Sequence, residues 1–253
     1  MKTSHKLAGA ALLAALGLGL AAPSMTKAAP GYPDAKTGVG EGKIKFTTDD
    51  STNPTNLPPG QSTGTPMTEP TQNPNPGPLK IVSVTNMDFD THKIVANDTD
   101  KSYDALPFTD PGTGQTTAHF IRFQDIRADA ATTNNWWTVK AKMTKQFTNA
   151  NNQELTGATL DYKDITLVTG TNAATKPLAP ATSTQTLALN AEKEFYTNRE
   201  AGKGFGVFEL MFDDNANAQA GTYDGITLNV PGTNVLKASE YKAEITWTIA
   251  EVI

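Results

Sequence analysis

Cysteine is absent from the 253-residue chain, which excludes disulfide staples, thiol nucleophiles and sulfur-ligated metal centres. An exported chain without staples needs a real core, and ~150 or more ordered residues can bury about two-thirds of their surface. Zero cysteines also fit export from a Gram-positive bacterium. Histidine is nearly as scarce, at three. His5 sits in the N-terminal leader, and His92 and His119 are isolated, whereas metal sites want clustered ligands. Both read as ordinary surface or strand residues, and no metal or other cofactor is expected. Beyond the leader no apolar run approaches the ~20 residues of a spanning helix. No window carries a sustained helical stripe with caps either, and Glu192 to Arg199 is the best candidate for one short helical turn.

The leader has a basic start at Lys2, His5 and Lys6, an apolar run from Leu7 to Ala22, and small residues around Ala28 and Ala29. That order describes a secretory signal peptide, residues 1–28, cleaved after Ala28, with no membrane insertion afterwards. Cleavage removes Lys2, Lys6 and Lys27 but no acid, so 21 basic residues become 18 against 26 acidic ones, a net charge of −8. Such a chain has no electrostatic attraction to nucleic acid, whose binding rests on phosphate neutralisation. Anionic wall polymers and lipid headgroups repel it too, over a Debye length of roughly 8 Å at physiological salt. Any attachment to such a surface would have to come from short-range contacts. The chain ends at Ile253 without the apolar tail and basic cluster of a covalent sorting signal. Leu106-Pro107-Phe108-Thr109 imitates the start of an LPxTG motif, but Asp110 follows and the position is mid-chain.

Residues 29–49 hold a short strand pattern in which Ile44 and Phe46 alternate with Lys43 and Lys45. Residues 50–78 are mostly Pro, Thr, Asn, Gly, Ser and Gln, with Leu57 and Met67 nearly their only apolar side chains. Such a stretch buries too little to offset its ordering entropy and reads as a disordered or extended linker. From residue 79 to 253 short alternating runs are separated by turn residues. Ile81 to Val84, Ile121 with Phe123, Ile165 to Val168, Leu187 to Leu189 and Ile226 to Val230 are such runs. Phe205 to Phe212 is apolar on both faces, as in a strand at the centre of a sheet. The fold class is all-β: an antiparallel β-sandwich with a long Pro-rich loop or linker near the N-terminus.

Two tryptophan strands give the clearest signal. Trp137, Val139, Ala141 and Met143 share one face, and Tyr241, Ala243, Ile245, Trp247 and Ile249 share another. Trp137 and Trp247 then read as core residues on apolar strand faces. Trp136, next to Trp137, must face the other way, and beside Asn134 and Asn135 it could stack on a sugar.

No catalytic constellation emerges. Asp213 with Asp214, and Asp161 with Asp164, are nominal carboxylate pairs for glycoside hydrolysis, but acids are common in loops. Asp213 to Asn217, followed by Asp224, imitates a calcium loop yet has Ala218 where glycine is needed, so a polar hairpin loop is expected. Gly202-Lys203-Gly204-Phe205-Gly206 lacks the spacing of a phosphate cradle and reads as a turn entering a strand.

The tryptophan strands resemble the WxL domain of surface proteins from low-GC Gram-positive bacteria. Asp125 and Arg127 stand ahead of Trp137-Thr138-Val139, and Gln146-Phe147 follow. Tyr241 precedes Trp247-Thr248-Ile249 at the C-terminus, with Met87-Asp88-Phe89 and Val230-Pro231-Gly232 also in place. Val139 and Ile249 stand where the family has Leu, and Asp90 where it has glycine. The resemblance implies a non-catalytic protein, secreted to the cell surface and attached non-covalently to peptidoglycan or another wall polysaccharide. It also implies assembly with membrane-anchored WxL-interacting proteins and other surface proteins. Trp137, Val139, Trp247, Ile249, Tyr241, Asp125 and Arg127 are the residues it singles out for the wall-binding region, and strand geometry adds Trp136 to them. The alternative is an adhesin or structural subunit that binds host matrix or a sister surface protein.

Overall fold

A computed structural model describes residues 31–39, 42–128, 132, 134–178, 181 and 183–252, and the leader at 1–28 lies outside them. The chain divides into two units, Met1–Phe46 and Thr47–Ile253. In the first, β1 (Gly31–Asp34) and β2 (Thr37–Val39) form an antiparallel hairpin. Its turn is fastened by the Lys36 amide donating to the Asp34 carboxylate at 2.7 Å.

Three antiparallel sheets build the second unit. The first has the order β10 (Ile165–Val168), β13 (Gly206–Phe212), β7 (His119–Asp125), β3 (Leu79–Val84). The next has β11 (Thr184–Leu187), β9 (Thr159–Lys163), β14 (Ile226–Val230), β4 (Lys101–Asp104). The third has β12 (Glu192–Asn198), β8 (Trp137–Asn149), β15 (Tyr241–Glu251). A two-residue ladder joins β5 (Phe108–Thr109) to β6 (Thr116–Thr117), so the imitation of a sorting motif is part of a hairpin. The sheets close on one hydrophobic core, and β13 is central and buried on nearly all its residues, as its two-faced apolarity predicts.

Three local expectations are corrected. The alternating pattern of Ile44 and Phe46 is not a strand within the chain: residues 42–50 carry none. Glu192 to Arg199 is not a helical turn: Glu192–Asn198 is strand β12. A register shift between Glu194 and Tyr196 turns the consecutive Phe195 and Tyr196 both inward, which breaks the two-residue period that reveals a strand. The segment after Asp213 is not a plain hairpin loop but the short helix α1 (Asn215–Ala220). Asp214 caps it by accepting from the Asn217 amide at 2.7 Å, and Gly221 closes it at φ 74° in the left-handed region.

Residues 50–78 contain no helix or strand, yet they lie against the first sheet as a strap. Beneath it Arg122 and Glu209 are direct cross-strand partners, both buried, with Nε to Oε1 at 2.9 Å. Arg122 also donates to Asn56 Oδ1 at 2.6 Å and to the Leu57 carbonyl. The Gly60 amide returns a bond to Glu209 at 3.4 Å. A Cβ on Gly170 would overlap the Gln61 carbonyl, so only glycine permits the strap to pass there. Gln124 and Lys80 reach the strap carbonyls of Gly77 and Asn75 at 3.2 and 3.1 Å. The polar face of β7, which alternation alone would leave in water, is thus covered, and its charged groups are partnered inside the molecule.

Asp110 clasps the other end of the strap. Its fully buried carboxylate accepts from the Thr68 amide and hydroxyl and the Glu69 amide at 2.7–3.0 Å, and from the Thr113 amide and hydroxyl at 2.8 and 2.5 Å. Burial pushes this carboxyl up, but those five donors outweigh it and hold the group well below the ordinary carboxylate range. The folded value lies below the unfolded one, so the clasp contributes stability above pH ~4 and loses it only as pH falls further. Asp110→Asn is expected to cost about 1.5–3 kcal/mol, the usual worth of hydrogen bonds to a charged group. Hydrogen exchange at the Thr68 and Glu69 amides, faster in the variant and in the parent only below pH ~4, checks both statements.

Candidate functional site

The tryptophan strands β8 and β15 are neighbours, and their register is informative. Val139 pairs with Ile249, Trp137 with Glu251, and Trp247 with Ala141. Each tryptophan therefore lies two residues from the Val139–Ile249 pair, one on either side, and all share the inner face. A branched aliphatic residue is needed at 139 and 249 because these side chains meet across the ladder. Val and Ile, standing in for Leu, suit that position.

Each tryptophan gathers its own aromatic group. Trp137 is 0 % exposed and packs on Phe123, Tyr196 and Phe208 with centroids at 4.8, 5.6 and 5.8 Å. Its indole N–H donates to the Gly204 carbonyl at 3.0 Å, where a Cβ would overlap the Asn135 carbonyl and Asn198. Trp247 packs on Phe195, Tyr162 and Phe212 at 4.6, 5.8 and 5.8 Å. Sequence alternation predicts a core role for both, but only Trp137 is fully enclosed. Trp247 is half-buried, as are Tyr241, Ala243, Ile245 and Ile249 along the same face of β15.

Asp125 and Arg127 tie the motif ends together. Asp125 is fully buried, and Arg127 reaches it with Nε–Oδ1 at 2.9 Å and Nη2–Oδ2 at 2.7 Å. Arg127 also donates to the Trp136 carbonyl at 3.0 Å and pairs with Glu251 at 2.7 Å. The Asp125 hydrogen bonds hold the guanidinium above its ordinary value. The same Trp136 carbonyl accepts the Val252 amide at 3.3 Å. One bidentate pair thus locks the end of β7, the start of β8 and the end of β15. Trp136 is half-buried just outside β8, and its indole nitrogen is enclosed without a hydrogen-bond partner among the described residues. What its side chain exposes is therefore ring carbon.

At the other end of β15 opens a cleft of about 1550 Å³. One lip is residues 84–94, which follow β3, and the other is residues 236–247. Phe120, Tyr162 and Phe212 form its floor. Trp247, Tyr241 and Ile245 look into it from β15, opposite Met87 and Phe89. His92 stacks on Tyr103 beside it, 4.3 Å between centroids, with Nε2 on the Phe89 carbonyl at 2.6 Å. The cleft could have been suspected from β15, a long strand with five apolar residues on one face at the edge of its sheet.

The remaining candidates have structural work. His119 is buried on β7 between Thr85 Oγ1 at 3.0 Å and the Leu106 carbonyl at 2.9 Å, and burial pulls its pKa down to about 4. Asp213 accepts the Asn217 amide side chain at 2.7 Å, and Asp161 accepts Thr186 and Asn229 at 2.5 and 2.7 Å. Among the described residues no group of three or more His, Cys, Asp or Glu could hold a metal ion. No described helix is long and apolar enough to cross a membrane.

No curated protein and no solved structure gives a significant match to this chain. A family model described as "WxL domain surface cell wall-binding" matches residues 34–252, which include both tryptophan strands, the Asp125–Arg127 clasp and the cleft. That family is a cell-wall-binding one and not a catalytic one. With nearly the whole chain matched, the protein belongs to the WxL family of surface, cell-wall-binding domains.

Proposed function

We propose that this protein is a non-catalytic, secreted subunit that attaches non-covalently to peptidoglycan and works within a surface complex alongside membrane-anchored WxL-interacting partners. The family match over residues 34–252 carries the reading. Geometry adds a contact point. The clasp through Arg127 fixes the main chain at Trp136, and a rigid aromatic offering ring carbon beside Asn134 and Asn135 suits a sugar face. Trp137, Val139, Trp247, Ile249, Tyr241, Asp125 and Arg127 act behind that surface by holding the strands in register.

Pelleting of the purified mature protein with Gram-positive sacculi tests the reading. Pelleting is expected at physiological salt. It should not weaken as salt rises, because a chain of net charge −8 gains nothing from long-range attraction to an anionic wall. Trp136→Ala is expected to abolish pelleting with melting little changed. Failure of the parent to pellet, or release by salt, would sink the proposal, and sugar release would point to an enzyme instead.

A second reading, an adhesin or structural subunit binding host matrix or a sister surface protein, is favoured by the open cleft and by β15 being an edge strand.

A further inference from the structure

β15 pairs with β8 along one side only, and its eleven residues make it a long edge strand. Edges of that length are normally shortened, charged or covered, because their free N–H and C=O groups recruit another strand. Here the exposed side borders the cleft. Along Tyr241 to Trp247 the cleft is lined by the half-buried Tyr241, Ala243, Ile245 and Trp247, alternating with the exposed Lys242, Glu244 and Thr246. Across the gap the chain departs from β3 after Val84, and from Asn86 to Ile94 it forms no strand. The apolar side chains of β15 are therefore left half-covered between two lips.

The same chain carries a segment built to cover it. Residues 42–50 are exposed throughout, and Ile44 and Phe46 are 76 % and 82 % exposed. Two large apolar side chains at alternate positions, separated by Lys45 and preceded by Lys43, form the pattern of a strand with one dry face. At ~3.3 Å per residue Gly42–Thr47 spans about 20 Å, the length of Tyr241–Trp247 to within one residue. Ile44 and Phe46 have the two-residue spacing of Ile245 and Trp247. Asp88 and Asp90, on the lip facing β15, accept main-chain amides but are in no ion pair among the described residues, so Lys43 and Lys45 would meet carboxylates without a cation. The segment and the cleft each have the complement of the other.

We propose that Gly42–Thr47 of one copy adds as a strand to the free edge of β15 in a second copy, with Ile44 and Phe46 entering the cleft. Main-chain hydrogen bonds to β15 supply affinity, and the two apolar side chains set the register. The contact is heterologous, since the patch that gives differs from the patch that receives. Repetition therefore joins copies head to tail, into a ring where the rotation closes and a filament where it does not. This deepens the second reading by naming the sister protein as another copy of this chain.

Light scattering on the full mature chain over a range of concentrations tests it. The mass is expected to rise with concentration beyond one copy. In the double variant Ile44→Asp/Phe46→Asp it should fall about two-fold or more, to a single copy. Both positions are exposed, so melting should be unchanged. A synthetic peptide of residues 42–47 should bind that variant saturably and alter Trp247 fluorescence, whereas the peptide with both aspartates should not. A parent that stays monomeric at every concentration, including by folding the segment onto its own cleft, overturns the proposal. So does an oligomer that survives the double substitution, or a peptide that fails to bind. Pull-down of host matrix and other surface proteins, run on the same samples, reports on the second reading separately from the mass.

Discussion

Trp137→Ala is expected to lower stability by about 3–5 kcal/mol, the range for truncating a large buried aromatic. For a domain of this size that is roughly a 10 °C fall in melting temperature. Three losses combine. The side chain is 0 % exposed, so its removal opens a cavity among Phe123, Tyr196 and Phe208, whose rings cannot all close on it. The Gly204 carbonyl loses the indole donor at 3.0 Å and remains buried. The ladder between β8 and β12 loses the side chain at its Trp137–Asn198 end. Trp247→Ala should cost clearly less, because Trp247 is half-buried and one side of its ring already faces the cleft. Urea unfolding of the two variants checks the order. Equal costs would mean that the cleft is closed in solution and that Trp247 is as much a core residue as Trp137.

That contrast marks where sequence pattern stops being informative. Alternation of apolar and polar residues identifies β3, β7, β8, β14 and β15, and apolarity on both faces identifies β13. It fails at Phe195-Tyr196, where a bulge sends neighbours to the same side so that each reaches a different tryptophan. It fails for α1, where a six-residue helix rests on Asp214 and Gly221 rather than on an apolar stripe. It says least about how residues 50–78 pack. Their composition promises little burial, but the strap is held by polar anchors such as Asn56, Thr68 and Glu69, which hydropathy counts as reasons for disorder. Of the motif residues, the inward placement of Trp137 was legible, and the mutual pairing of Asp125 and Arg127 was not. Asp125 and Arg127 look like a polar pair suited to a ligand, and they are occupied with each other and with strand ends.

Arg122→Met is expected to be as damaging as Trp137→Ala, at about 3–5 kcal/mol near neutral pH, for a different reason. Met matches much of the arginine's apolar stem but leaves Glu209 buried with only the distant Gly60 amide as donor. Burial already pushes the Glu209 carboxyl above its ordinary value, and Arg122 opposes that push. Without Arg122 the folded-state pKa rises further. A carboxyl raised in the folded state favours folding while it is protonated, so its contribution is fully present below the unfolded value of ~4.3 and is lost as pH climbs through the folded value. The gap between parent and variant should therefore be smallest near pH 4 and widen toward pH 7 in urea unfolding. Arg122→Met/Glu209→Leu removes the stranded charge and should recover a large part of the loss with little pH dependence. It cannot recover all of it, because Asn56 and the Leu57 carbonyl lose Arg122 in both variants and the Gly60 amide loses Glu209 in the double one. Amide exchange at Leu57 and Gln61 should accordingly remain fast in the double variant even where global stability returns. Should exchange there slow to the parent's rate, apolar packing and not the ion pair would be what seats the strap on β7 and β13.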